Sequence, residues 1–250
     1  PDCILPNCIG YPNLDEEKHF CQEYLFGQEI EDNRDLLNLK YPIQRGFVKD
    51  IDNLEKIYNH IFQNEIRVDP VEHNIMITGI PMNSKENRVN IGQLIFETFN
   101  APALFFLNQA KANLYANGNF NGLVVDLSDS YTHFCPFIDD FLMEDKYRWY
   151  KIGGRDLSEY MFKLLARSGQ NIKYLEYAKL IKEKTCYCAL DYKEEIKSVN
   201  SINYELPDSN IIVKDEGLKC AEALFSSLLD IENDGISKVC FDILQDIFKS

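Results

Sequence analysis

With 250 residues, 45% of them hydrophobic, the chain carries enough apolar material for one large domain or two small ones, and is not a disordered tail. A formal charge of -14 and an isoelectric point near 4.7 set it against nucleic acid and anionic membrane surfaces, both of which would repel it. No apolar run of bilayer length and no basic-then-apolar leader occurs, so no membrane insertion and an intracellular compartment are expected.

Pro1 to Gly10 reads as strand and turn, because its prolines break any helical run. Tyr11 to Asp32 is polar and acidic and suggests an excursion from the main core. Leu36 to Ile43 is a turn-bounded strand, with Pro42 holding the preceding residue extended. From Asp52 to Glu65 the spacing of Leu54, Ile57, Tyr58, Ile61 and Phe62 predicts a helix, with Asp50 or Asp52 as its cap. A short strand is predicted over His73 to Thr78, and a second helix over Asn83 to Phe99, its apolar face carrying Ile91, Leu94, Ile95 and Phe99. Ala103 to Phe106 is a further strand and Leu107 to Ala116 a further helix, an alternation that indicates α/β organisation.

Asn121 to Cys135, NGLVVDLSDSYTHFC, is the central stretch. Gly122 to Val125 suits a buried strand that delivers Asp126 to the turn Leu127-Ser128-Asp129-Ser130, and Tyr131 to Ile138 returns as a second strand. Two readings fit Asp126 and Asp129: carboxylates placed to hold metal-bound water beside a phosphate, or acids that cap a polar hairpin. Ile138 to Tyr150 is irregular and holds the only tryptophan, Trp149, either packed for stability or exposed as an aromatic patch. Gly153-Gly154 reads as a flexible lead into a helix over Asp156 to Ser168. A helical pattern over Tyr174 to Leu190 puts Ile181, Thr185 and Cys188 on one packed face. Strands ending near Pro207-Asp208 and spanning Ile211 to Val213 precede a short helix over Glu222 to Leu229, an interruption at Gly235, and a last helix over Ile236 to Phe248. The 8 cysteines are scattered, and Cys186 with Cys188 lacks the second close pair of a structural zinc site, so reduced thiols are expected.

Several longer phrases carry a family resemblance: LKYPI at Leu39 to Ile43, GFVKDIDNLEKIYNHIF at Gly46 to Phe62, IFETFNAPA at Ile95 to Ala103, GRDLSEY at Gly154 to Tyr160 and IKEKTCYCALD at Ile181 to Asp191. In these the chain resembles the actin family, including actin-related proteins, from near Cys3 almost to its last residue. The resemblance implies an α/β, actin-like ATPase fold related to sugar kinases and heat-shock chaperones, with two lobes around a nucleotide cleft. On that frame residues 1–106, with the excursion at about 11–36, form part of the first lobe. Residues 107–250 form the second, with a smaller inserted subdomain at about 153–228. The family's first phosphate hairpin and later glycine-rich segment fall outside this sequence, so it is expected to be incomplete at both ends.

The resemblance also implies roles for particular residues. Gln109 matches the residue that positions attacking water, and His133 one that joins the water network. Asp126 and Asp129 match carboxylates around a cation's water shell. Gly154, Lys182 and Glu183 match the surroundings of the adenosine, where the alternative is an exposed helical charge pair. Lys179 stands where many members have arginine, and Arg45 where a histidine is usual. Ser128 and Ser130 replace a glycine-rich turn and narrow the geometry open to phosphate. The expected cofactor is ATP or ADP with magnesium or calcium, and the expected partners are actin-like subunits or other cytoskeletal proteins. The expected role is an assembly or conformational switch with slow or absent ATP hydrolysis, in the cytoplasm and cytoskeleton or in a nuclear or ciliary complex. The other reading is a nucleotide-silent actin-like scaffold or cap.

Overall fold

The structure, a computed structural model, describes residues 3–13, 20–206, 209–226 and 235–249. The tip of the acidic excursion, the turn at Pro207-Asp208 and the end of the helix predicted over Glu222 to Leu229 lie outside them. The chain divides into two units, Pro1–Ala112 and Asn113–Ser250.

In the first unit, β1 (Ile9–Pro12) pairs antiparallel with β2 (Leu37–Lys40). Between them in sequence lies α1 (Gln28–Asp32), whose Ile30 is buried with Cys8, Leu25 and Leu37. β3 (Ile43–Gln44) and β4 (Phe47–Val48) form a hairpin joined by Arg45 and Gly46, with φ of 50° and 75°. Two successive positive φ values give the turn a twist that matches that of its strands. α2 (Ile51–His60) starts where Asp50 accepts a hydrogen bond from Asn53 N at 3.0 Å, buries Leu54 and Ile57, and runs into a single π turn over Ile61–Glu65. β5 (Ile75–Gly79) leads to α3 (Lys85–Gln93), capped by Ser84 and continued by a π turn over Leu94–Thr98, and then to β6 (Leu104–Asn108), parallel to β5. A parallel pair needs such a crossover, and its apolar side closes on Leu54, Ile91, Leu94, Ile95 and Phe99. α4 (Gln109–Ala116) follows directly.

The second unit opens on an antiparallel sheet of β7 (Gly122–Leu127), β8 (Thr132–Ile138), β9 (Phe141–Leu142) and β10 (Arg148–Tyr150), with β8 pairing the other three. Alternation sorts its side chains: Leu123, Val125, Phe134 and Tyr150 cluster with Val239 and Ile243 of the C-terminal helix. α5 (Gly154–Arg167) and α6 (Leu175–Thr185) pack through Met161, Leu165, Ala178 and Ile181, all fully buried. α7 (Tyr192–Glu195), the hairpin of β11 (Ile202–Glu205) and β12 (Asn210–Val213), α8 (Glu216–Glu222) and α9 (Ile236–Lys249) complete it. Val213 and Cys220 join the same core as Met161.

Some local expectations change. α6 stops at Thr185, which is buried, so Cys188 lies beyond the helix and is exposed. The short helix expected from Glu222 instead ends there: α8 begins at Glu216, with Leu218 fully buried and Cys220 packed into the core of α5 and α6. α7 has no expected counterpart, and its cap Asp191 accepts from Lys193 N and Glu194 N at 3.0 and 3.2 Å.

The pair Gly153-Gly154 is not a flexible lead. Ser128 N donates to Tyr131 O at 3.0 Å and closes the β7–β8 turn, whose next carbonyls accept from α5: Gly154 N to Ser128 O at 3.0 Å, Arg155 N to Asp129 O at 2.9 Å. The first N–H groups of a helix have no partner inside it, so the turn satisfies what α5 leaves open. A Cβ on Gly153 would stand 2.3 Å from Asp129 O, so only glycine lets the two backbones approach. Gly153 N in turn donates to Asp156 Oδ2 at 2.9 Å, within the first turn of α5.

Two outcomes follow for equilibrium urea unfolding. Gly153→Ala lowers stability by about 1–3 kcal/mol, the usual effect of forcing a methyl into filled space. Met161→Ala lowers it by about 2–5 kcal/mol, whereas Phe105→Ala, at a side chain 61% exposed, stays within about 0.5 kcal/mol.

Candidate functional site

Asp126 is the fifth residue of β7 and stands opposite His133 of β8 in the ladder. Ser128, two residues on, turns its hydroxyl back to donate to Asp126 Oδ1 at 3.0 Å. This is the local side-chain bonding that makes serine a turn residue, here with a carboxylate as acceptor. Asp129 and Ser130 occupy the turn itself.

The turn-to-helix contact sets the rest of the geometry. With Gly154 N bonded to Ser128 O, the Cα of Gly154 faces both Asp129 and α6: a Cβ built there would lie 3.5 Å from Asp129 Oδ1 and 3.5 Å from Lys182 Nζ. Lys182 reaches this point because Ala178, Ile181 and Thr185 turn the buried face of α6 toward α5, leaving Lys182 at its rim. Its ammonium donates to Gly154 O at 2.7 Å, and Ser158 Oγ donates to the same carbonyl at 2.9 Å. The structure therefore brings together Asp126, Ser128, Asp129, Gly154 and Lys182. Further out on α6, Lys179 and Glu183 are exposed and form an i,i+4 ion pair at 4.0 Å. Gln109 opens α4 and belongs to the first unit.

His133 is 3% exposed; its Nδ1 shares a 2.7 Å hydrogen bond with the Tyr147 hydroxyl, while its buried Nε2 has no partner among the described residues. Burial lowers its pKa and the Asp126 carboxylate offsets part of that shift, so the ring is neutral at pH 7. Burial also raises the Tyr147 phenol and pushes the Cys135 thiol up to about 12. Tyr147 is a residue that sequence reasoning missed, since its contact with His133 spans the β8–β10 hairpin. Trp149 resolves into something of both its readings: its ring meets Tyr131 edge-on at 5.3 Å, yet the residue is 52% exposed.

These groups bear on the nucleotide and cation that the resemblance implies. Asp126 and Asp129 offer hard oxygen donors, and among the described residues no group of three or more His, Cys, Asp or Glu side chains could hold a metal. Hard oxygen donors are the kind that a magnesium ion meets through its waters. The unmet hydrogen bond at His133 Nε2 is one that a water would satisfy.

Comparison with known proteins bears on the same residues. The profile of the Actin family matches residues 1–180, a span that contains every residue of the site except Lys182 and Glu183. Actin-related protein 2 of Arabidopsis thaliana is 31% identical over 261 aligned positions, which cover 99% of this chain and 67% of that protein. Among the described residues no helix is long and apolar enough to cross a membrane. On both the profile and the relative, with an α/β fold of mixed sheets and helices beneath them, this chain belongs to the actin family.

Proposed function

We propose that this chain, within its full protein, binds ATP or ADP with a divalent cation and uses the nucleotide as an assembly or conformational switch, with slow or absent hydrolysis. The observation that supports this most is the convergence of Asp129 Oδ1 and Lys182 Nζ on Gly154. Lys182 frames the edge of the base, and Glu183 on the next position of α6 accepts from a ribose hydroxyl once released from Lys179. When bound, the cation would neutralise phosphate charge and order its own waters. Asp126 and Asp129 accept hydrogen bonds from those waters. His133, neutral and fixed by Tyr147, orients a water through Nε2 without acting as a strong base, and Gln109 is the second water-positioning group. The partners proposed are actin-like subunits or other cytoskeletal proteins, in keeping with the name of the plant relative, and the proposed location is the cytoplasm and cytoskeleton.

One observation favours a nucleotide-silent scaffold instead. Ser128 spends its hydroxyl on Asp126 and its N–H on Tyr131, so neither is aimed at a phosphate. Fluorescence titration of the full-length protein with an etheno-ATP probe separates the two readings. The switch reading expects saturable binding that weakens at least about tenfold on chelating magnesium and on Asp129→Asn or Lys182→Met, the loss of a charge-assisted contact. A folded full-length protein that fails to bind the probe overturns the switch reading and leaves the scaffold.

The pH dependence of stability tests the state of His133. Its pKa in the folded protein lies below the 6.5 of the unfolded chain, so the unfolded state binds more protons and stability falls as pH drops below 6.5. The contribution reaches at most about 1.4 kcal/mol per pH unit. Urea midpoints between pH 7 and pH 5 should therefore fall less steeply in His133→Asn than in the parent.

A further inference from the structure

A cavity of about 380 Å³ lies in the second unit among α5, α7 and α8, lined by none of the residues proposed for the nucleotide. Leu164 and the rings of Tyr160 and Tyr192 supply its apolar wall, and Arg167, Asp215 and Lys219 bring charge to it. The size falls within the range of small-molecule sites.

Its hydrogen-bonding capacity is unevenly spent. Asp215 is held by Lys219 at 2.6 Å. Glu216, also on the lining, is 4% exposed and accepts from Lys214 N at 2.6 Å. By contrast, the Tyr160 and Tyr192 hydroxyls and the Arg167 guanidinium have no hydrogen-bond or ion-pair partner among the described residues. The four ionised groups sum to zero, and what remains unused is one cation and two phenolic donors. These groups sense one another: Arg167, Lys219 and Tyr192 all act on the Tyr160 phenol, whose pKa burial raises, and Lys219 and Asp215 act on Tyr192.

We propose that this cavity is a binding site for a small organic monoanion, a carboxylate on a flat apolar body. The carboxylate takes the planar fork of Arg167 and the two phenolic O–H donors, and the flat body lies against Leu164 and the tyrosine rings. A dianion is disfavoured, because Asp215 and Glu216 stand nearby and only one cation is unspent.

Ligand-observed NMR titration of the full-length protein tests this with benzoate, its neutral analogue benzamide, and inorganic phosphate. Benzoate should bind saturably with a Kd of about 1 mM or tighter. Arg167→Gln should weaken it at least about tenfold and Tyr192→Phe about threefold or more, while both variants melt within a few degrees of the parent. Benzamide and phosphate should bind more weakly than benzoate. The proposal is overturned if benzoate does not saturate in the folded protein, if a folded Arg167→Gln binds it as the parent does, or if benzamide or phosphate binds as well. Should Arg167→Gln not fold, Tyr192→Phe decides: unchanged benzoate affinity overturns the proposal.

Discussion

Two backbone hydrogen bonds, from Gly154 N to Ser128 O and from Arg155 N to Asp129 O, join the β7–β8 turn to the start of α5. Each answers a demand of the other element: the helix begins with N–H groups that have no internal acceptor, and the turn offers the Ser128 and Asp129 carbonyls to them. The contact needs bare backbone at Gly153, and it places the Asp129 carboxylate over Gly154. Once α5 is fixed, the apolar face of α6 packs on Met161 and Leu165, and Lys182 at the rim of that face reaches the Gly154 carbonyl. The residues proposed for an adenosine are thus brought together by ordinary capping and core packing.

The sheet behind the turn separates chemistry from packing by alternation. Val125 and Phe134 take the side that packs on α9, while Asp126 and His133 share the other. Burying His133 there keeps it neutral, and Tyr147 holds its orientation. Ser128 gives the turn a character of its own. Its hydroxyl fixes Asp126 and reduces the freedom of that carboxylate to meet a cation's water shell, which is the feature that favours the nucleotide-silent reading.

Much of this was legible in the residues. The apolar spacing of Leu54 and Ile57, the cap at Asp50, and the strand-turn-strand of Gly122 to Ile138 all follow from local rules, and the structure has each of them, although the strand expected to be buried at Gly122 to Val125 is only half-buried, with Gly122 exposed. What local rules could not supply were long-range contacts. Gly153 reads as freedom in a sequence, yet its carbonyl neighbour Asp129 is distant along the chain and close in space. Cys188 keeps the period of α6, but the chain leaves the helix at Thr185. Tyr147 sits in an irregular stretch and gains its role only when the hairpin brings it to His133. The family phrases supplied Lys182 and Gly154 as a pair, and the structure supplies the 2.7 Å bond between them.

The central claim is that the turn-to-α5 contact builds a nucleotide site over Gly154. A structure of the full-length protein prepared with magnesium and ATP tests it most directly. The account predicts a purine against Gly154 within reach of Lys182, with a hydrated cation near Asp126 and Asp129. Density for no nucleotide, or for one bound elsewhere, would contradict it.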